Sequence, residues 1–330
     1  MNRQISIKTL PKGDLTEDAF ELQQGEMPEP GDGQVLVRTL IMSIDAANRA
    51  WMQGATYREP VLAGDLMHTY ALGEVVASNA PGFAPGDLVS GESRWAEYVA
   101  VDADKLEKRT NPGEASNLLS VFGIAGLTAY HGLRWVGAPQ PGDTVVVSAA
   151  AGSVGIYVGQ IAKALGCRAV GIAGGDEKCA WVRETLGFND CINYRDPAWM
   201  KTLKAACPDG IDIYFDNVGG QILEAVLFQM NLKGRVVCCG AVSQYNASAP
   251  VGPRNLPGLV VVKRLRMEGF IAMDFPDKDA EAQADLSRWV ADGQIKVIED
   301  IVEGLENAPR ALIGLLAGDN RGKRLVRVAG

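Results

Sequence analysis

Apolar and polar positions follow two different rhythms along this chain. Over roughly the first 120 residues they alternate in short stretches bounded by Pro and Gly. Residues 34–45 read as a long strand, led in by Pro28, Pro30 and Gly31. Residues 72–78 read as another strand, residues 83–90 as a turn and a strand, and residues 95–101 alternate with period two. Short strands at regular spacing with Pro/Gly turns predict an all-β domain over about residues 1–120. From about residue 125 to 300, apolar runs alternate with helical stretches. Residues 211–216 and 234–240 read as short buried strands within that alternation. It predicts a parallel sheet with helices on both faces. Residues 323–328 form a last strand, expected to return to the N-terminal β domain. The pattern carries no internal repeat.

One stretch of the second region carries chemistry. Val145-Val146-Val147-Ser148 feeds into the small-residue loop Ala149-Ala150-Ala151-Gly152-Ser153-Val154-Gly155. Ile156, Val158, Ile161, Ala162 and Leu165 then repeat at helical spacing. Strand, tight loop and helix in this order are what a dinucleotide site requires. Ala150, Gly152 and Gly155 occupy the three positions of G-x-G-x-x-G. Gly152 lets backbone approach a pyrophosphate, and Gly155 lets the helix lie close to the strand. The N–H groups at the helix start, with the macrodipole behind them, favour phosphate.

Residues 168–173 read as the second strand of the unit and are followed by Gly174-Gly175-Asp176-Glu177-Lys178. An NAD site usually places an acidic residue at this strand end, for the ribose 2′-OH. Here two glycines leave room and Lys178 supplies charge for a 2′-phosphate, which points to NADP. The alternative is that Asp176 or Glu177 binds the ribose and Lys178 is an ordinary surface lysine. Ligands of open parallel sheets bind outside the carboxyl ends of the strands. That rule selects Gly152 to Gly155, Lys178, Tyr194, Asn217-Val218-Gly219-Gly220 and Gly240-Ala241-Val242-Ser243-Gln244-Tyr245 as one shared cleft.

Composition narrows the function classes. A length of 330 residues fits about two domains. A net charge of −8 argues against a nucleic-acid partner. The short basic runs at 263–266 and 321–324 read as solvated faces. Residues 1–13 contain Arg3, Lys8 and Lys12 and no apolar core, so no secretory leader is expected. No long apolar span reads as transmembrane. Six cysteines, none in a C-x-x-C pair and none in the first half, fit reduced, buried thiols in a cytoplasmic protein. His68 and His131, the two histidines, share no metal-ligand spacing.

Together these residues resemble the medium-chain dehydrogenase/reductase superfamily, and within it the zinc-independent prostaglandin reductase / alkenal double-bond reductase family. The likeness runs through Gly126-Leu127-Thr128-Ala129-Tyr130, residues 149–155 with Gly159-Gln160-Ile161-Ala162-Lys163, and Gly175-Asp176-Glu177-Lys178. It continues in Asn193-Tyr194, Asp216 to Gly220, Cys239 to Asn246, Glu268-Gly269-Phe270 and residues 318–323. The resemblance implies a GroES-like β domain over 1–124, completed by about 301–330, and a doubly wound Rossmann NADP-binding domain over 125–300. It implies NADPH as cofactor, a small-molecule substrate and a homodimer. Gly152, Ser153, Val154 and Gly155 would hold the pyrophosphate, and Lys178 and Tyr194 the 2′-phosphate end. Asn217, Cys239, Gly240, Ala241, Val242, Ser243, Gln244, Tyr245, Phe270, Ile271 and Ala272 would line the nicotinamide half, with Asn320 nearby.

The implied reaction is reduction of a C=C bond conjugated to a carbonyl, by hydride transfer to the β-carbon and protonation at the α-carbon. An enoyl-thioester or quinone reductase is the alternative enzyme, and an NADPH-binding sensor without turnover the non-enzyme reading. Related zinc-dependent alcohol dehydrogenases carry a ligand Cys after the long strand and Gly-His-Glu near the next one. This chain has Ser43-Ile44-Asp45 and Leu72-Gly73-Glu74 there, so no metal is expected. It also departs from its own family near the substrate. Asp45-Ala46-Ala47-Asn48-Arg49 stands where members commonly have Asp-Pro-Tyr-Met-Arg. Ile124-Ala125 stands where they have Met-Pro. Loss of the tyrosine at Ala47 should reshape the pocket. Two tyrosines compete as proton donor. Tyr245 matches the family tyrosine beside the nicotinamide, and Tyr57 resembles the donor position of the enoyl-thioester reductases. A phenol near pKa 10 can protonate an enolate.

Overall fold

The computed structural model describes residues 1–110, 113–247, 249 and 251–328. The chain forms two compact units, Met1–Leu119 with Glu299–Gly330, and Ser120–Ile298. The first unit opens with β1 (Asn2–Ile7), β2 (Phe20–Gly25), β3 (Gln34–Ser43), α1 (Ala47–Trp51), β4 (His68–Ser78), β5 (Leu88–Arg94), β6 (Tyr98–Asp102) and β7 (Leu106–Lys108). The second unit comprises α2 (Ile124–His131), β8 (Thr144–Ser148), α3 (Gly155–Ala164), β9 (Arg168–Ala173), α4 (Asp176–Leu186) and β10 (Asp190–Asn193). It continues with α5 (Trp199–Ala206), β11 (Ile211–Asp216), α6 (Gly220–Gln229), β12 (Met230–Cys238), α7 (Leu256–Lys263), β13 (Arg266–Gly269) and α8 (Asp279–Ala291). The chain then returns to the first unit with β14 (Glu299–Glu303), α9 (Ala308–Ala317) and β15 (Lys323–Arg327).

The sheet of the first unit runs β14-β15-β3-β4-β5-β7, with β6 also on β3. The last strand, β15, is antiparallel to β3 and parallel to β14. The stretch 95–101 becomes a strand only from Tyr98. Trp95 exchanges backbone hydrogen bonds with Ile5 and Met67 instead, at 2.8 and 2.9 Å. Its ring is fully buried and stacks on Phe20. A tertiary anchor thus overrides the local period.

The second unit has a six-stranded sheet ordered β10-β9-β8-β11-β12-β13, parallel throughout. Helices cover both faces. Val145 and Val147 of β8 point into a cluster with α2, α3 and α8, whereas Val146 points into another with α5 and α6. Burial on both faces explains why β8 reads as an unbroken apolar run rather than an alternating one. The order reverses between β8 and β11, and that reversal is the switch point at which such sheets bind ligands.

Helix α3 lies close on its neighbours because Gly159 has no side chain. A Cβ there would fall 1.8–2.4 Å from three ring carbons of buried Phe188. Gly159→Ala gains about 1 kcal/mol in helix propensity but incurs overpacking at the upper end of about 1–3 kcal/mol. A net loss of about 1–2 kcal/mol is expected, read as a lower urea midpoint at constant m. An unchanged midpoint would mean that Phe188 swings aside freely.

Candidate functional site

The loop after β8 is built for close approach. Ala149 takes the left-handed conformation (φ 51°), and Gly152 N–H donates to the Ala149 carbonyl at 2.9 Å. Ala150 N–H donates to Ile172 of β9 at 3.0 Å, which fixes the loop to the sheet. Gly155 opens α3 directly beneath it. A Cβ at Gly155 would sit 2.2 Å from the Ala149 carbonyl oxygen, a backbone atom that cannot move aside. Glycine is therefore required for helix and loop to meet. The small residues Gly152, Ser153 and Val154 lead into the first turn of α3, where Ile156 N–H donates to the Gly152 carbonyl at 3.1 Å and Val158 N–H to the Val154 carbonyl at 3.1 Å, and the positive end of the helix dipole faces the loop. This cradle fits a pyrophosphate.

A second cluster lies at the ends of β9 and β10. The Asn193 side-chain oxygen Oδ1 accepts N–H groups from Gly175 (2.9 Å) and Arg195 (3.0 Å), and its Nδ2 donates to Asp176 Oδ1 at 2.9 Å. This clamp joins the loops after the two strands and engages the Asp176 carboxylate. A Cβ at Gly174 would meet Arg195 Nε at 3.2 Å and the Tyr194 hydroxyl at 3.3 Å. The Arg195 guanidinium carbon lies 5.9 Å from the Tyr194 ring centroid. Tyr194 is 39% exposed, and Lys178 is half-buried in the first turn of α4. Sequence reasoning selected Lys178 and Tyr194 and overlooked Arg195. The available signal was a second cation directly after a strand-end tyrosine.

The switch point itself is held by a buried carboxylate. Asp216, only 2% exposed, ends β11. Its Oδ1 accepts from the Tyr214 hydroxyl (2.8 Å), Ser148 Oγ (3.2 Å), Val218 N–H (3.0 Å) and Gly219 N–H (2.9 Å). Burial lifts this carboxyl above the usual carboxylate range, and those donors limit the rise. Asn217 completes the bridge to β8. Its N–H donates to Ser148 Oγ at 2.9 Å and its amide to the Ser148 carbonyl at 2.8 Å. Ser148, Tyr214 and Asp216 were not selected as site residues. A polar residue closing each of two apolar strands was the signal.

The loop after β12 is stitched to the loop after β11. Cys239 and Gly240 N–H groups donate to the Asp216 carbonyl at 2.9 and 3.1 Å. Val242 and Ser243 N–H groups donate to Asn217 and Val218, and Ser243 Oγ donates to Val218 at 2.6 Å. Residues 242–244 then form a tight turn that brings Tyr245 back over the loop. Ala241 N–H donates to the Tyr245 phenol oxygen at 3.4 Å. Burial raises the Tyr245 phenol above its ordinary value and pushes the Cys239 thiol up to about 12. Phe270 follows β13, and its ring packs edge-on against Phe215 at 6.1 Å. Ile271 N–H donates to Asp274 at 2.9 Å, and Ala272 is buried. The structure therefore sets Gly152 to Gly155, Lys178, Tyr194, Asn217, Cys239 to Tyr245 and Phe270 to Ala272 along one edge of one parallel sheet.

Tyr57 and Asn320 belong to the first unit. Tyr57 is 52% exposed. Asn320 is buried, with its amide donating to Gly322 at 2.8 Å. Asp45 accepts from the buried ammonium of Lys323 at 2.5 Å and from the Ser43 hydroxyl. Arg49 is fully buried and donates to the carbonyls of Pro11 and Gly13 at 2.9 and 2.8 Å, so it ties down the N-terminal loop. Zinc ligands do not fit here. A Cβ at Gly73 would lie 2.3 Å from Val37 and 2.6 Å from the Arg38 carbonyl, so position 73 has no room for histidine. Among the described residues no group of three or more His, Cys, Asp or Glu could hold a metal ion. Among them, too, no helix is long and apolar enough to cross a membrane.

Residues 3–109 match the family described as the N-terminal domain of oxidoreductase, and residues 153–291 the one described as zinc-binding dehydrogenase. The chain is 44% identical to the NADPH-dependent curcumin reductase of Escherichia coli (strain K12), covering 100% of this chain and 97% of that protein. It is 39% identical to prostaglandin reductase 1 of Bos taurus, with 94% of each covered. CurA from Vibrio vulnificus, solved in complex with NADPH, is 40% identical, with a TM-score of 0.95 and 99% of each chain covered. With likeness of this extent at both ends of the fold, the chain belongs to the zinc-independent medium-chain dehydrogenases/reductases, in the family of the prostaglandin and alkenal reductases.

Proposed function

We propose that the chain is an NADPH-dependent reductase that saturates the C=C bond of α,β-unsaturated aldehydes or ketones. The observation that carries this reading is the shared sheet edge. The cradle at Gly152–Gly155, the cluster of Gly174, Lys178 and Tyr194, and the loop bearing Tyr245 follow strand ends of one parallel sheet. Relatives named as curcumin and prostaglandin reductases, and the similar chain crystallised with NADPH, support it.

Bound NADPH supplies a hydride for the β-carbon. The chain's own residues hold the reactants in line, stabilise negative charge on the carbonyl oxygen and deliver a proton to the α-carbon. Gly152 to Gly155 receive the pyrophosphate. Lys178 and Tyr194 receive the 2′-phosphate end. Asn217 and residues 239–245 and 270–272 line the nicotinamide half. Tyr245 is assigned the proton, with Tyr57 as the competing donor.

The test is NADPH consumption with a panel of enals, enones, quinones and acyl-thioesters. A saturated carbonyl product is expected from a simple enone, at a rate that EDTA leaves unchanged. An allylic alcohol, or a rate abolished by chelation, would overturn the reading. Turnover confined to quinones or thioesters would replace the substrate class. NADPH binding without any turnover would identify a sensor.

A further inference from the structure

One face of the first unit's sheet gathers a cluster of charged and aromatic side chains. Strands β4 and β5 are antiparallel, with His68 opposite Arg94 and Tyr70 opposite Glu92. Alternation puts these side chains on one face, while Thr69, Ala71 and Ser93 turn to the other and are buried. Arg58, from the loop after α1, pairs with Glu92 at 3.2 Å. Its guanidinium carbon lies 4.6 Å from the centroid of the Trp51 ring, and Trp51 meets the His68 ring edge-on at 6.5 Å. Strand register, ion pair and ring contacts thus bring Trp51, Arg58, His68, Tyr70, Glu92 and Arg94 together.

Charge and polarity do not close within this cluster. The Glu92 carboxylate is taken by Arg58. Arg94 is half-buried, and among the described residues it forms no ion pair. Its Nη1 donates to the Ser93 carbonyl at 3.1 Å, which uses one corner of the guanidinium fork. Directly opposite, His68 Nδ1 is buried and has no hydrogen-bond partner among the described residues. Burial, then Arg94 and Arg58, lower the His68 pKa to about 4, so the ring is neutral at pH 7. A partly desolvated cation and a buried ring nitrogen are costly without partners. A carboxylate satisfies both. It matches the planar guanidinium fork, and it accepts from a neutral imidazole in the tautomer that carries its proton on Nδ1.

We propose that Arg94 and His68 form an anion subsite that receives a carboxylate carried by the substrate, so that the enones reduced best are those ending in a carboxylate. This names the substrate class of the reductase reading above and rests on it. The charge count selects the ligand. One arginine without an ion pair matches one negative charge. Glu92, held on the same face by Arg58, repels a second charge, which disfavours a phosphate dianion. The Arg58–Glu92 pair, set against Trp51, is a fixed border to the subsite. A neutral ester leaves the Arg94 guanidinium desolvated and uncompensated, so the discrimination comes from the polar site itself.

The test compares a straight-chain enone ending in a carboxylate with its methyl ester, on the full chain with NADPH. kcat/KM should favour the acid by about tenfold or more, the worth of one hydrogen bond to a charged group. In Arg94→Gln the preference for the acid should disappear. Arg94→Lys, which keeps the charge and loses the fork, should retain part of it. Calorimetry with the saturated keto acid reads the same subsite without turnover, and its affinity should fall about tenfold in Arg94→Gln. Equal kcat/KM for acid and ester in the wild type, or a preference that Arg94→Gln leaves unchanged, would overturn the subsite. No turnover of either enone would overturn the reductase reading. Keto-acid binding that weakens in Arg94→Gln would then still uphold the anion subsite, and no keto-acid binding would overturn that as well.

Discussion

Replacing Tyr245 by phenylalanine is expected to lower the turnover number by about 10²–10⁴-fold, the range of general-acid contributions. Tyr57→Phe should change it far less. The difference follows from the surroundings of the two phenols. Tyr245 is part-buried at the end of a loop that backbone hydrogen bonds fasten to the switch point. Burial keeps its phenol above the ordinary value, so the acid form persists through and beyond neutral pH. The Ala241 N–H that donates to its oxygen remains in place to stabilise the phenolate left after proton transfer. Tyr57 is 52% exposed, so water can take over its proton delivery. Steady-state rates of both variants with one enone decide between them. A loss of this size in Tyr57→Phe alone would transfer the donor role to Tyr57. Near-wild-type rates in both variants would assign the proton to water.

Lys178→Ala is expected to raise KM for NADPH by about 10- to 150-fold, the equivalent of about 1.5–3 kcal/mol for a hydrogen bond to a charged group. NADH, which lacks the 2′-phosphate, should be used about as before. Turnover at saturating NADPH should also hold, because a remote contact is made equally in the ground and transition states. Arg195 borders the same space beside Gly174 and Tyr194. A second cation there places the expected loss toward the lower end of the range. Initial rates with both cofactors provide the check. Equal losses with NADPH and NADH would reduce Lys178 to a surface lysine. A wild-type preference for NADH would reject the NADP assignment.

Much of this was legible in the chain because it is local. The run Val145-Val146-Val147, the glycines at 152 and 155 and the helical spacing from Ile156 each depend on neighbours within a turn or a strand. Gly155 shows the link directly, since the atom that excludes a Cβ there belongs to Ala149, six residues away. The strand at 211–216 was readable for the same reason, as was the placing of the residues after each strand along one edge, since parallel strands all end on the same side of the sheet. Locality also limits what can be read. Residues 95–97 alternate like a strand, yet Trp95 is bound to Ile5 and Met67 because its ring fills the core of the first unit.

The details that shape the site come from residues far apart in sequence. Asn217 bonds to Ser148, 69 positions away, because burial on both faces sets β11 beside β8. Desolvation makes a carboxylate such as Asp216 untenable at that point unless donors surround it, and those donors come from β8, β11 and the loop beyond. The same holds for Asn193, which reaches back across the sheet edge to Gly175 and Asp176, and for Arg195 beside Gly174. Hydrophobic period and turn chemistry specify which elements form and which loops close the strand ends. Which polar side chains meet there was decided only when packing put β8, β9, β10 and β11 side by side, since a hydrogen bond depends on a few ångströms that no single segment determines.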